Sequence, residues 1–176
     1  VQPKREGYTF EGWSGTDIKE KDTQVTVTAR PLKDRTYTAN WKENSYTIVF
    51  NVEGEVTRGE MKNIPLRYTQ ETTIPKNGYV CGGYKFVGWR TGGKKSEQKV
   101  YQPGDKVSRL CATNNGTVNL YPIWEPCEYT ITFDYQTGNK REKVTCKYKE
   151  TYTFPTVNRL GWTFEGWSRF AGSTNV

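Results

Sequence analysis

One heptapeptide recurs along the chain. GYTFEGW occupies residues 7–13, GYKFVGW residues 83–89 and GWTFEGW residues 161–167. Their last tryptophans, Trp13, Trp89 and Trp167, are 76 and 78 residues apart. Other strings keep nearly the same interval. YTIVF at 46–50 returns as YTITF at 129–133, and RYTQETTIP at 67–75 returns as KYKETYTFP at 147–155. YTANW at 37–41 and YPIW at 121–124 close two of the units. Self-similarity at a fixed interval calls for one supersecondary unit built several times.

The order of the motifs sets the cut. Residues 42–125 hold every motif once and read as a complete repeat. Residues 1–41 hold the C-terminal half of a repeat, and residues 126–176 the N-terminal half of the next. The expected architecture is a piece of a longer array that continues on both sides. A half-unit exposes a sheet edge and half a core, so it calls for completion. If 126–176 of one molecule paired with 1–41 of another, head to tail, the product would be an open filament.

Composition fits small modules better than one large core. Only 34% of the 176 residues are apolar, lean for a single domain but ordinary for modules that are mostly surface. Aromatics reach 14%, with 6 Trp and 12 Tyr. That content favours strands and argues against disorder. The absence of His excludes His-based triads, His metal ligands and His proton switches. No apolar run approaches the ~18 residues of a membrane span, and VQPKREGY has no apolar stretch of a secretory leader.

Local pattern supplies the strands. Residues 46–52 and 129–135 alternate apolar and polar side chains at the period of a half-buried strand. Turn residues follow each, Gly54 in one unit and 137–139 in the other. A second strand over about 143–148 makes an antiparallel hairpin, and Pro75 and Pro155 end the ladder. The GYxFxGW strand follows, with Tyr84, Phe86 and Gly88 expected on one face and Lys85, Val87 and Trp89 on the other. A last strand covers 118–123. Between them, 90–116 has room for a short helix or 3-10 turn near 105–110 at most. The expected fold class is mostly β, α+β at most.

The Gly–Trp pairs, Gly12–Trp13, Gly88–Trp89 and Gly166–Trp167, read as core determinants. Glycine suits a bend or the close passage of another chain, and the indole then covers a small core. A sugar-stacking platform is the alternative, but recurrence at one motif position is how a core residue behaves. Trp41 and Trp124, at unit ends, are expected to seal the junction to the next unit.

On these motifs the chain resembles the Listeria–Bacteroides repeat family, the B-repeat module of internalin-like bacterial surface proteins. The marks are YTIVF and YTITF, the threefold GYxFxGW string, and the YQPGDKV…VNLYPIW ending over 101–124. The resemblance covers one full and two partial modules. It implies small β-grasp-like (ubiquitin-like) modules strung in tandem as an extended array, on a secreted or surface-attached protein.

Four cysteines, Cys81, Cys111, Cys127 and Cys146, have no C-x-x-C spacing, which disfavours a zinc site. Disulfides are the expectation for an extracellular array, preferably Cys127–Cys146 across the hairpin and Cys81–Cys111 within the full unit, with free buried thiols as the alternative. The net charge of +7 is spread over the units as +1, +4 and +2. Two basic clusters stand out: Arg90, Lys94, Lys95 and Lys99, and Lys140, Arg141, Lys143, Lys147 and Lys149. They read as solvated lysines that block unwanted strand pairing, or as a patch for anionic glycans, cell-wall polymers or host surface proteins. No nucleic-acid motif and no cofactor motif is present, and no catalytic constellation emerges. The expected role is a non-catalytic extracellular spacer with weak multivalent adhesion, at the cell surface or secreted. The alternatives are a filament subunit and a carbohydrate-binding accessory module.

Overall fold

The computed structural model describes residues 2–27, 34–137 and 140–169. The chain divides into two compact units, Val1–Glu125 and Pro126–Val176. Among the described residues fourteen strands follow in order. They are β1 (Tyr8–Gly15), β2 (Ile18–Asp22), β3 (Tyr37–Glu43), β4 (Ser45–Phe50), β5 (Val56–Arg58), β6 (Ile64–Arg67) and β7 (Thr72–Thr73). Then come β8 (Val80–Cys81), β9 (Tyr84–Thr91), β10 (Val100–Tyr101), β11 (Lys106–Val107), β12 (Gly116–Pro126), β13 (Glu128–Asp134) and β14 (Arg141–Lys147). Among the described residues the helical content is a 3-10 turn, Lys95–Glu97. The stretch 105–110, expected to hold such a turn, instead gives β11, which pairs with β7. An edge partner was available to it, and extended backbone satisfied its amides.

The centre of the first unit is a five-stranded sheet in the order β10-β9-β12-β4-β6. β4 runs antiparallel to β6 and parallel to β12, with Gly116 opposite Tyr46 and Leu120 opposite Phe50. Strict alternation along β4 sends Tyr46, Ile48 and Phe50 inward, each at most 5% exposed. They meet Leu66 from β6, Leu120 from β12 and Trp89 from β9 in one apolar cluster.

A second sheet, β2-β1-β3, repeats half of this arrangement. β1 carries the same heptapeptide as β9. Trp13 pairs with Asp22 of β2 as Trp89 pairs with Tyr101 of β10. β3 takes the place beside β1 that β12 takes beside β9. In the second unit, β13 and β14 form an antiparallel hairpin that repeats β4 and β6. Its observed bounds match the alternation read from the sequence within two residues. The third heptapeptide differs from expectation. Residues 161–167 form no ladder, only an isolated bridge between Arg159 and Trp162. A strand needs neighbours for its amides, and among the described residues of this unit β13 and β14 are the strands that pair.

The two half-sheets of the first unit meet at Asn44, its one buried polar residue at 6% exposure among the described residues. Its amide N–H donates to Gly7 O at 2.9 Å and its carbonyl accepts from Tyr68 N at 2.8 Å. Its side chain accepts from the Thr9 hydroxyl at 2.6 Å and donates to Ala112 O at 2.7 Å. Every group of the residue that faces protein is therefore satisfied, which burial requires. Gly7 sits under the Tyr68 ring, where an added Cβ would lie 2.0 Å from ring carbon. Glu43 adds hydrogen bonds from the Thr69 amide at 2.7 Å and from its hydroxyl.

Asn44→Ala should cost about 1–3 kcal/mol, because it strands a hydroxyl and a carbonyl around a buried gap. Asn44→Asp should not restore the loss, since a carboxylate cannot donate to Ala112 O. Urea unfolding of the three proteins measures the ordering.

Candidate functional site

The heptapeptide gives the same object each time. Phe and Trp three positions apart would face opposite sides of a regular strand. Here they touch edge to face: Phe10–Trp13 at 5.4 Å, Phe86–Trp89 at 5.1 Å and Phe164–Trp167 at 5.7 Å. The expected alternation therefore fails at the glycine. Gly12, Gly88 and Gly166 have φ of +126°, +157° and +142°. In β1 the register slips between Phe10 and Gly12, the signature of a β-bulge. The bulge turns the following Trp back to the side of the Phe. Close approach adds to the demand for glycine: a Cβ on Gly12 would lie 2.9 Å from the Asp22 backbone.

Around each Trp the neighbours are partly conserved in kind. Trp89 meets Phe50 at 4.8 Å, and Trp167 meets Phe133, the counterpart of Phe50, also at 4.8 Å. Trp89 is fully enclosed at 0% exposure, so it offers no face to a sugar. Its indole N–H is buried without an acceptor among the described residues, so packing alone holds the ring. Trp13 and Trp167 are half-buried, as incomplete sheets dictate. Trp41 and Trp124 each lie against the Phe of their own motif, Phe10–Trp41 at 5.4 Å and Phe86–Trp124 at 5.8 Å, and Trp124 donates to Glu53 O at 3.2 Å.

The four cysteines are free thiols. Register explains why the hairpin pair is apart. Cys146 lies opposite Tyr129, while Cys127 lies two pairs further along and its carbonyl accepts from Tyr148 N. Cys111 and Cys81 belong to opposite ends of β4. Cys111 adjoins Gly116, level with Tyr46. Cys81 follows Tyr79, whose hydroxyl donates to Phe50 O at 2.8 Å.

The basic clusters divide by residue type. Arg90 is bound to Glu53 at 2.5 Å and stacks over Tyr121 at 5.2 Å. Arg141 pairs with Asp134 at 3.0 Å, and Lys140 lies over the Tyr135 ring at 4.8 Å. Lys94, Lys95, Lys99 and Lys143 remain exposed and project from a loop, a 3-10 turn and β14. The arginines thus serve the fold, and the lysines carry the accessible charge. No group of His, Cys, Asp and Glu able to hold a metal occurs among the described residues.

Three carboxyls are held below their ordinary range. Glu11 is lowered by the hydrogen bond and charge of Lys21, Glu43 by the Thr69 hydroxyl and amide, and Asp134 by the Gln136 amide and Arg141. The stability they add is whole above the unfolded-state values and drains as pH falls through the lower folded ones. With no His in the chain, stability should stay flat between about pH 5.5 and 8 and fall on acidification below about pH 4.5. Urea midpoints across pH check this, and Glu43→Gln should flatten the acid limb.

The second unit also has an open groove of about 490 Å³. Thr132, Asp134 and Gln136 form one wall, and Phe164 to Ser168 the other. Sequence reasoning missed both this groove and Asn44. A single polar residue in a seam and an unfilled space carry no motif.

Comparison with known proteins gives one consistent picture. Residues 46–121 and 129–176 match the Listeria-Bacteroides repeat domain, and residues 3–45 the divergent InlB B-repeat domain. A Gly-rich membrane protein named in Evansella cellulosilytica is 26% identical over 171 residues, covering 93% of this chain and 19% of its own length. A second membrane protein named there is 27% identical, over 94% and 23%. Internalin H of Listeria monocytogenes is 32% identical over 96 residues, 53% of this chain and 16% of its own length. The chain thus spans about a fifth of these relatives' length. No solved structure matches it significantly.

Burial predicts thiol reactivity. Cys111 and Cys127 are half-buried, Cys81 and Cys146 buried. Alkylation of the native, unreduced protein should add two labels quickly and two more only on unfolding. Mass spectrometry of the labelled peptides reads both steps.

Proposed function

Because the chain belongs to the Listeria-Bacteroides repeat domain family, we propose that it is a non-catalytic segment of a bacterial surface or secreted protein. It acts as a spacer whose exposed lysines add weak, summed contacts to anionic surfaces. The observation that carries this is the Phe–Gly–Trp hub, with its glycine at positive φ, rebuilt at each heptapeptide. The motif residues are spent on packing, and what is left outside is charge. A β-grasp-like fold for each complete repeat is supported by the central parallel pair, β12 on β4, flanked by β6 and β9. Asn44 supports stiffness, since its four hydrogen bonds tie one half-sheet to the next repeat.

The partners in this reading are polyanions: anionic glycans, wall polymers or acidic patches of host surface proteins. Many weak contacts become useful when repeats are multiplied on one chain. A filament reading has one observation in its favour. Among the described residues β3 and β13 each have a single strand neighbour, and they correspond to the two strands joined as β12 and β4 in the complete repeat. Sedimentation and electron microscopy distinguish the two, since fibres favour the filament and a dispersed monomer the spacer.

Retention on a polyanion resin tests the surface. Binding should weaken steeply with salt, by Debye screening of exposed charges. Lys94→Glu, Lys95→Glu and Lys99→Glu together should elute at clearly lower salt while unfolding at the same urea concentration. Retention unchanged by the triple substitution would remove the adhesive part of the reading.

A further inference from the structure

We infer that Met61 is a modification site for a small peroxide-class oxidant, and that its sulfur takes up oxygen from one side only, giving a single sulfoxide epimer. Met61 is the one methionine of the chain. It lies inside the complete repeat, half-buried against the core cluster, and Gly59, Glu60, Lys62 and Asn63 on either side of it are exposed. Its thioether accepts the Gly78 amide N–H at 3.1 Å. A thioether is a weak acceptor, so the surrounding geometry must hold this bond in place.

Both sides of the bond are fixed. On the donor side, the Asn77 side chain accepts from Tyr79 N at 3.0 Å and donates to Tyr79 O at 2.8 Å. These two bonds bracket Gly78 and set the direction of its N–H. Tyr79 is itself buried, and its hydroxyl donates to Phe50 O at 2.8 Å. On the acceptor side, residues 59–60 cross residue 78 in backbone contact. A Cβ on Gly59 would overlap the Gly78 carbonyl oxygen. A Cβ on Gly78 would lie 2.6 Å from Glu60 O and 3.1 Å from the Met61 sulfur. The two backbones are therefore locked together, and the Met61 side chain is the part that can move.

The chemistry follows from the sulfur. A thioether has two lone pairs, and the Gly78 N–H engages one of them. The other bonds to one oxygen of hydrogen peroxide, the O–O bond breaks, and the second oxygen leaves as water with both protons. Sulfur loses two electrons and the peroxide gains them. The sulfoxide is chiral at sulfur, so attack from one side gives one epimer. Its polar S–O group no longer suits a contact with the apolar cluster. The side chain then swings outward, and the Gly78 N–H, pinned by Asn77, loses its acceptor. This site is separate from the lysine surface and does not depend on polyanion binding.

Peroxide treatment of the full chain at about pH 5 tests this, because thiols are then protonated and poor nucleophiles while a thioether has no proton to lose. A digest of the product is given to each of two reductases, one specific for each sulfoxide epimer. One reductase should restore Met61 and the other leave it oxidised, a preference of about tenfold or more, since the disfavoured attack must first break the N–H···S bond. Protein oxidised in urea should give the two epimers equally. Amide exchange at Gly78 should speed up by about tenfold on oxidation. In Met61→Leu, which keeps the packing, peroxide should leave Gly78 exchange unchanged. Equal epimers from the native protein would overturn the assignment. So would a native Met61 that resists the peroxide that oxidises it in urea, an unaltered Gly78 exchange, or a peroxide effect at Gly78 in the Leu variant.

Discussion

The positive-φ glycine between Phe and Trp is the constraint on which each repeat depends. A straight strand would send the two rings to opposite faces and leave the small sheet with half its core. Glycine at positive φ lets one residue loop out, and both rings then fall on one side. The consequence is geometric before it is energetic. Phe86 and Trp89 can meet Phe50, Tyr79 and Trp124 together, which gathers aromatics from four places in the sequence onto one hub. Burying each large aromatic contributes on the order of 1.5–3 kcal/mol. A module this size has few other sources of that magnitude.

The hub also explains the different condition of the three copies. Trp89 has both a β4-type and a β12-type strand beside it and is wholly enclosed. Trp13 has a β12-type strand, β3, but no β4-type strand in its sheet. Trp167 has the β4-type Phe133 beside it, and its own backbone forms no ladder among the described residues. Side-chain packing thus survives where strand pairing does not. The rings of 126–169 gather as they do in the complete repeat, although the sheet around them is unfinished.

Much of this was legible in the sequence. The strands at 46–50, 84–91, 129–134 and 141–147 follow from alternation and from the repeat, because both report which face is buried. The family resemblance was readable from the heptapeptide and the YTIxF strings. Faces within the heptapeptide were misread, because period two assumes a regular pleat and the glycine breaks it. Trp124 ends its unit, yet the closing strand of the complete repeat lies in the middle of its sheet. β12 sits between β4 and β9, so its tryptophan faces the core. The groove could not be read at all, since an open space carries no sequence motif.

Position 44 shows how a repeat can keep its backbone and change its seam. Asn44 is followed 83 residues later by Cys127, and the main-chain bond is kept: Tyr68 N to Asn44 O and Tyr148 N to Cys127 O, both 2.8 Å. The side-chain bonds are not transferable. An amide offers a strong donor and a strong acceptor at once, while a thiol is weak as either. The repeat therefore conserves what the strand needs and varies what the neighbouring half-sheet needs. Hub and ladder residues should tolerate little change from copy to copy, and position 44 and its equivalents should set how firmly successive pieces of the array are tied.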